Sequence, residues 1–343
     1  MNSIGVSSRI FVSDLEMADR AKTILDFENG KFSNIVVVDL LNEGIDVPDV
    51  SLIVFARVTH SRRIFVQQLG RGLRIKKGKE IAKRNNLKFG LMVFQPLPVM
   101  FFNKELKNYR IDSLDQKINS SKKYGIDFLI IKKFDKNFSN ISSEKFIEKI
   151  LYKKLKTRLI FISKNFRFGK NRTGDIKLLV SKEKFFNYET KTIVPLNKKG
   201  LTISSTLIRK SIKRGKINYA NKLLGRFWTI EGVVRRGDKR GRKIGFPTCN
   251  LDLGSYIVPK LGVYSSKIIV NKTIKKRGIV NIGYRPTFGK NKLVLEAHIF
   301  GLKKNLYDKR IKIMLIKFIR KEKKFRNIVQ LKKQIKKDIK DSN

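Results

Sequence analysis

The spacing of apolar residues changes along the chain, and this change constrains the fold more than any other feature. Before residue 225, short apolar runs typical of buried parallel strands alternate with segments of helical spacing. After residue 228, apolar residues recur at every second position, as they do in half-buried antiparallel strands. The sequence therefore predicts a parallel α/β part followed by an antiparallel β part. Hydrophobic residues make up 41% of the chain, which is enough to give each part a core.

The α/β part divides further by charge. Residues 1–75 hold nine basic and nine acidic residues, so the formal net charge of +50 falls entirely on the residues that follow. A step of this kind suggests two segments of different origin. The basic part predicts nonspecific nucleic-acid binding at low salt. Its lysine-rich composition, without an aromatic and basic stacking surface, does not favour a specific nucleic-acid site.

The rarest residue types exclude several kinds of site. A single cysteine, Cys249, rules out an internal disulfide and a cysteine-rich zinc site. The two histidines, His60 and His298, are far apart, so no motif can contain two neighbouring histidines. The sequence has no run of 18 apolar residues and no signal-peptide pattern, so it predicts a cytoplasmic protein without a membrane contact.

Residues 1–75 contain predicted strands at 34–39 and 51–56 and a predicted helix at 62–74. The sequences DLLNEGIDVPDV and QQLGRGLR in this region resemble the last two motifs of a superfamily 2 helicase C-terminal domain, which implies a partial RecA-like α/β fragment. The matched and implied motif residues are Gly44, Asp46, Gln67, Gly70, Arg71 and Arg74.

The helicase resemblance implies a role for each part of the motif. Arg71 and Arg74 would reach ATP phosphates across a cleft, and Gly44 and Asp46 would couple that cleft to nucleic acid. However, the sequence contains no GxxxxGK[ST] phosphate loop. We therefore expect a fragment without helicase activity.

Residues 76–215 carry two motifs that indicate a nucleotide site. The loop 165–175 (NFRFGKNRTGD) follows a predicted strand, at the sheet edge where parallel sheets bind ligands. The segment 203–209 (ISSTLIR) places hydroxyl groups before a predicted helix, whose free N–H groups form an anion site. Taken alone, the second motif is better explained as an ordinary capped helix.

Together and in this order, the two motifs resemble the FMN adenylyltransferase lobe of bacterial bifunctional FAD synthetase, a Rossmann-like nucleotidyltransferase fold. The resemblance runs from about residue 76 to Arg209 and includes MVFQPLPVMFF. It implies that residues 165–168 shape a flavin site and that hydroxyl residues with Arg209 hold ATP phosphates. The residues implied for flavin or ATP are Asn165, Phe166, Phe168, Asp175, Ser204, Ser205, Thr206 and Arg209.

The sequence departs from this family at the start of the lobe. The family opens with a strand and a GNFDGVHLGH-type loop, whose histidines steady the ATP phosphates. If Leu69 and Gly70 are aligned on the family's Leu-Gly, Gln68 and Arg71 occupy the two histidine positions. Donors aimed at a transferring phosphate contribute strongly to such catalysis, so we expect a lobe that lacks its first strand and is impaired in adenylyl transfer. Residues 51–56 are a candidate replacement for the strand, and Arg71 for one donor.

Residues 223–343 predict a different fold. Strands with alternating apolar residues and Gly-rich connections predict a small antiparallel Greek-key β-barrel, and a helical stripe from Ile328 to Ile339 predicts a C-terminal helix packed on it. In the strand at 293–300, Glu296 and His298 share one face. Glu296 is either a general base or half of a structural ion pair, and His298 is expected to pack rather than react. The predicted strands lie at 228–235, 263–270, 279–282, 293–300 and 310–319.

The chemistry of this part lies in the loop GDKRGRKIGFPTCN at residues 237–250. Glycines and basic residues in a loop bind phosphates through backbone N–H groups. A threonine hydroxyl and an asparagine amide oxygen suit Mg²⁺, which takes few protein ligands beside phosphate and water. The loop, with NIGYRPTFG and LEAHIF, resembles bacterial riboflavin kinase, which implies Glu296 as the general base. The residues implied for ATP and Mg²⁺ are Gly237, Lys239, Gly241, Thr248 and Asn250, the last two at the metal.

The sequence thus predicts a helicase-like fragment (1–75), an FMN adenylyltransferase-like domain (76–215) and a riboflavin kinase domain (223–343). The predicted function is phosphorylation of riboflavin to FMN with ATP and Mg²⁺, with impaired adenylylation of FMN to FAD. The alternatives are a nucleic-acid-binding protein built on the helicase-like segment and an inactive fusion. A nucleic-acid complex that survives moderate salt would favour the first alternative.

Overall fold

The computed structural model describes residues 8–12, 34–38, 52–54 and 75–342, apart from 164, 194–196, 199–200, 238–239, 272, 288–289 and 303. The chain forms two compact units. The first comprises Met1–Leu106 and Leu114–Ile203, and the second comprises Lys107–Ser113 and Ser204–Asn343. The helix predicted at 62–74 lies outside the described residues, and so do Lys239 and the helicase-like motif residues Gly44, Asp46, Gln67, Gly70, Arg71 and Arg74.

The first unit alternates strands and helices, as predicted. Its strands are β1 (Ser8–Val12), β2 (Asn34–Val38), β3 (Leu52–Val54), β4 (Phe89–Gln95), β5 (Phe128–Lys133), β6 (Leu159–Ser163), β7 (Glu189–Ile193), β8 (Asn197–Lys198) and β9 (Leu201–Thr202). Its helices are α1 (Ile75–Arg84), α2 (Pro98–Phe102), α3 (Leu114–Lys123), α4 (Lys136–Ser139), α5 (Ser143–Lys145) with a π-helical continuation (Phe146–Lys154), a 3₁₀ turn (Lys170–Arg172), α6 (Ile176–Ser181) and α7 (Glu183–Phe186).

Seven of these strands form one parallel sheet in the order β1-β2-β5-β4-β3-β6-β7. Alternate side chains enter two cores, one on each face, as in a sheet covered on both sides by helices. Met92, Ile130 and Ile160 belong to one core, and Leu91 and Leu129 to the other. From β3 the chain adds β4 and β5 on one side and then β6 and β7 on the other. The order therefore switches direction between β3 and β6, and ligands bind beyond the carboxyl ends of strands at such a point.

Strand β3 comes from the helicase-like segment and lies inside this sheet, between β4 and β6. Ile53 pairs with Gly90 on β4 and with Ile160 on β6. Residues 52–54, within the candidate replacement for the missing first strand at 51–56, thus supply the strand beside the switch point. Strands β1 and β2 extend the same sheet beyond β5, so the described strands of the expected RecA-like fragment do not form a separate sheet.

The second unit contains helices α8 (Ser205–Lys213), α9 (Ile217–Leu224), α10 (Arg240–Lys243) and α11 (Ile328–Asp341). Its strands are β10 (Trp228–Val233), β11 (Cys249–Leu251), β12 (Gly262–Val270), β13 (Ile274–Thr287), β14 (Lys290–Ile299) and β15 (Arg310–Arg320). They form a curled antiparallel sheet in the order β10-β15-β12-β13-β14-β11. An isolated bridge between Arg235 and Asn250 joins the two edges at one point.

The curled sheet and the C-terminal helix confirm the predicted fold of this part. Leu295, Ala297 and Ile299 are buried on β14, while Glu296 and His298 are half-buried on its other face, as the alternation predicted. In the stripe of α11, Ile328 is exposed, whereas Leu331, Ile335 and Ile339 are partly covered. No helix among the described residues is long and apolar enough to cross a membrane.

A short segment that precedes α3 in the chain belongs to the second unit. The Trp228 indole N–H donates to the Ile111 carbonyl at 2.9 Å, Arg226 pairs with Asp112, and Arg110 forms a bridge with Tyr256. Residues 107–113 are therefore bound to the β10 region and to the chain around Tyr256, which the sequence did not indicate.

Candidate active site

Three polar residues lie side by side on one face of the curled sheet. On β14, Glu296 pairs directly with Asn250 on β11 and with Asn281 on β13. Directly opposed residues in an antiparallel pair carry their Cβ atoms about 4.5–5.5 Å apart on the same face. The predicted general base is thus flanked by two amide side chains, of which Asn250 was predicted and Asn281 was not.

The phosphate-binding loop predicted from the sequence leads into this row. Gly237 and Gly241 allow close approaches, since a Cβ on Gly237 would collide with the Asn250 amide and one on Gly241 with the Phe246 carbonyl oxygen. The Phe246 N–H donates to the Gly241 carbonyl at 2.9 Å, which closes a tight turn after α10. Because glycine carries no side chain, Gly237 can lie next to Asn250 and Gly241 next to Thr248.

The residues predicted at Mg²⁺ fit a hard cation. The Asn250 Oδ1 atom is buried and has no hydrogen-bond partner among the described residues, and the Thr248 side chain is exposed. An amide oxygen and a hydroxyl are acceptable Mg²⁺ ligands when phosphate and water complete the octahedron. A buried acceptor without a partner is costly, so an electropositive ligand at Asn250 would satisfy it.

A cavity of about 550 Å³ opens beside this row. Thr248, Glu296 and Asn281 contribute to its polar side. Its apolar side comes from the sheet and from the C-terminal helix, through Val263, Ile279, Phe325, Leu331 and Ile335. The volume falls in the range of small-molecule sites, and an apolar lining with a few polar groups is typical of them.

The C-terminal helix is fixed beside the cavity by a buried ion pair. Arg320 on β15 donates from Nε to Asp338 Oδ1 at 2.8 Å and from Nη2 to Oδ2 at 2.7 Å, and Asp338 is buried. Gln334 also donates to Asp338, at 2.8 Å. Neither charged residue was predicted from the sequence, because nothing local distinguishes them from the many exposed charges of this segment.

The loop 165–175 of the first unit follows β6, at the switch point of the sheet. The rings of Phe166 and Phe168 stack at 5.7 Å, and Phe168 is buried against Phe146. Gly169 has φ +74°, and a Cβ there would lie 2.6 Å from the Ser143 backbone nitrogen. The loop thus presents a half-buried aromatic ring at the sheet edge where a ligand is expected.

Among the predicted residues of this loop, Asp175 has a structural contact and Asn165 is exposed. The Asp175 carboxylate accepts the Leu178 N–H at 3.0 Å and so caps α6. It also pairs with Arg167 at 2.8 Å. The backbone N–H and then the guanidinium lower the pKa of Asp175. The flavin or ATP roles of Asn165, Phe166, Phe168 and Asp175 remain predictions.

The other predicted phosphate motif lies in the second unit. Ser204 caps α8 by accepting the Leu207 N–H at 3.2 Å, Ser205 is half-buried and Thr206 is exposed. The Arg209 guanidinium is buried 3.7 Å above the Tyr109 ring, its Nε donates to the Tyr109 carbonyl, and burial lowers its pKa to about 10. The phosphate roles of these residues remain predictions, since the contacts described for Ser204 and Arg209 are made with other residues of the protein.

Comparison with protein families gives three matches along the chain. Residues 224–343 match the riboflavin kinase family, residues 70–207 the FAD synthetase family, and residues 1–76 the helicase conserved C-terminal domain. These matches confirm the three resemblances and their order.

Curated relatives match about three quarters of the chain. A bifunctional riboflavin kinase/FMN adenylyltransferase of Buchnera aphidicola subsp. Schizaphis graminum is 41% identical over 265 residues, which cover 76% of this chain and 84% of the relative. The enzyme of the same name from Escherichia coli K12 is 32% identical over 260 residues, covering 76% and 83%. A solved structure titled macrolide-efflux protein, from Streptococcus pneumoniae, shares the fold with a TM-score of 0.75 at 24% identity, covering 89% of this chain and 97% of its own.

Proposed function

Because the chain belongs to the bifunctional riboflavin kinase/FMN adenylyltransferase family, we propose that its second unit transfers the γ-phosphoryl group of ATP to the 5′-hydroxyl of riboflavin. The chain is an enzyme of flavin biosynthesis, and riboflavin, FMN, FAD and ATP are the substrates and products that its family implies. The observation that carries the proposal is the row of Asn250, Glu296 and Asn281 at the edge of a cavity large enough for a flavin ring.

Glu296 acts as the general base in this proposal. Its carboxylate accepts the proton of the riboflavin 5′-hydroxyl while that oxygen forms a bond to the γ-phosphorus and the bond to the β-phosphate oxygen breaks. The products are FMN and ADP. The apolar wall from β12, β13 and α11 holds the flavin ring and excludes water. The loop that contains Gly237 and Gly241 binds the phosphates, to which its backbone N–H groups donate.

Thr248 and Asn250 would hold Mg²⁺, which neutralises charge on the ATP phosphates when bound. We expect Thr248→Val to raise the KM for Mg-ATP at least roughly tenfold, because it removes a charge-assisted contact without changing the side-chain shape. Thr248→Ser keeps the hydroxyl and is the matched control, expected within about threefold of the wild type. Steady-state FMN formation at varied Mg-ATP measures both, and equal KM values for the Val and Ser variants would contradict the assignment.

We also propose that adenylylation of FMN is slow in this chain. At the family's two histidine positions the aligned residues are Gln68 and Arg71, and β3 is followed by FARVTH rather than the family's glycine-rich loop. Removing one donor at a transferring phosphate costs about 10²–10³-fold in rate. The loop at the carboxyl end of β6 keeps its aromatic residues, so flavin binding in the first unit is retained in this proposal.

Separation of the products tests this second proposal. Purified chain, riboflavin, ATP and Mg²⁺ are expected to give FMN that accumulates, with FAD formed at least about 100-fold more slowly. A parallel reaction that starts from FMN isolates the second step from the first. FAD formation from FMN that keeps pace with FMN formation from riboflavin would contradict the impairment, and Arg71 would then be the residue to substitute.

A further inference from the structure

His298 lies at the point where the phosphate loop leaves the sheet. The last pair between β11 and β14 joins Cys249 to Ala297, one residue before His298 on β14. The His298 Nδ1 atom lies 2.8 Å from the Pro247 carbonyl oxygen. A carbonyl oxygen only accepts hydrogen bonds, so Nδ1 carries a proton and donates it. The hydrogen bond from His298 thus joins the loop to β14 just beyond the last backbone pair between β11 and β14.

The ring of His298 also contacts the loop through an aromatic pair. Phe246 meets it edge-to-face, with ring centroids 5.5 Å apart, and Phe300 lies on another side at 5.7 Å. Phe246 in turn closes the glycine turn through its N–H bond to Gly241. The His298 side chain therefore contacts Phe246 and Pro247, the two residues that precede Thr248. Through Phe246 it is linked to Gly241, in the loop that is expected to bind the phosphates.

We propose that His298 is a positioning residue for Mg-ATP. Its hydrogen bond orders residues 241–248 before the nucleotide binds. The inference rests on the proposed kinase function. Without the Nδ1–H bond, these residues would have to become ordered when ATP binds, and that entropy cost would weaken binding. The chemical step would change little, because Glu296 does not depend on this bond. His298 also lines the cavity that is proposed for riboflavin, so the test has to separate nucleotide affinity from turnover.

Two substitutions separate the hydrogen bond from the ring. His298→Phe keeps an aromatic ring between Phe246 and Phe300 but has no donor. His298→Asn loses the ring, but its Nδ2 stands near the former Nδ1 and donates to the same carbonyl. We expect the KM for ATP, and the Kd for Mg-ADP measured by calorimetry, to rise about tenfold in the Phe variant. The Asn variant stays within about threefold of the wild type, and kcat at saturating riboflavin changes less than about twofold in both.

Equal losses of nucleotide affinity in the two variants would overturn the proposal, because they would assign the effect to the ring. A fall in kcat at unchanged nucleotide affinity would also overturn it, and so would unchanged affinity in the Phe variant. His298→Leu replaces the Phe variant if thermal unfolding shows that the latter does not fold. Mg-ADP binding is measured without riboflavin, so a wild-type chain that binds Mg-ADP but forms no FMN would refute the kinase proposal and not this one.

Discussion

Glu296→Gln is expected to reduce riboflavin phosphorylation by about 10²–10⁴-fold, the usual contribution of a general base. Glutamine has the shape of glutamate and keeps hydrogen bonding to its neighbours, but its amide cannot take the proton of the attacking hydroxyl. Glu296 is half-buried and its backbone pairs with Asn250 and Asn281, so an amide side chain of the same size fits at this position. The measurement is kcat for FMN formation at saturating riboflavin and ATP, with circular dichroism to establish that the variant is folded.

Glu322→Gln is the matched control, because Glu322 is a second carboxylate of the same cavity. It lies 3.4 Å from the Asn281 amide nitrogen, but it is not in the row that leads to Thr248. We expect a loss below about tenfold there, the size of one hydrogen bond or less. Near-normal turnover in Glu296→Gln, or equal losses in both variants, would remove Glu296 from the role of base.

The face that carries Glu296 could be predicted from the sequence, but its neighbours could not. Alternation along β14 separates Glu296 from buried Ala297 without any knowledge of the partner strands. The pairing of Glu296 with Asn281 depends on register, which is set by non-local contacts. The strand that carries Asn281 was predicted to span 279–282 and runs from Ile274 to Thr287, so its register against β14 could not be derived.

Arg209 illustrates a second limit of the sequence. Its place one turn into a capped helix favours an anion ligand, because helix N-termini attract negative charge. In the structure its guanidinium lies over Tyr109, a residue 100 positions away, within a segment that joins the second unit. The local pattern specifies the helix and its cap, whereas the stacking partner of the arginine is set by tertiary contacts.

The N-terminal strands show the same division between local and non-local information. Apolar and β-branched residues at 34–39 and 51–56 predicted two strands, and β2 and β3 lie within those ranges. The helicase resemblance assigned these strands to a fragment of their own. Burial of a parallel strand requires neighbours on both sides, and β3 has them only because β4 and β6, later in the chain, lie next to it.

Ile53→Pro is therefore expected to destabilise the first unit strongly, although it changes a residue of the helicase-like segment. Ile53 pairs on both sides, with Gly90 and Ile160. Proline has no N–H and is confined to edge strands, so at this position it breaks the ladder inside the sheet. A loss on the order of 3 kcal/mol lowers the unfolding temperature of a unit of this size by roughly 6–12 °C. Differential scanning calorimetry of the full chain measures this change.

Two comparisons show whether the effect depends on the position of β3 inside the sheet. Ile10→Pro makes the same substitution in β1, which among the described strands pairs with β2 alone, so we expect a smaller loss of stability. FMN formation, which is proposed for the second unit, serves as an internal control and is expected to stay within about twofold of the wild type in both variants. If Ile53→Pro and Ile10→Pro lower the unfolding temperature equally, β3 does not have the role of an interior strand. If only Ile53→Pro does so, the sheet of the first unit depends on a strand of the helicase-like segment to fold.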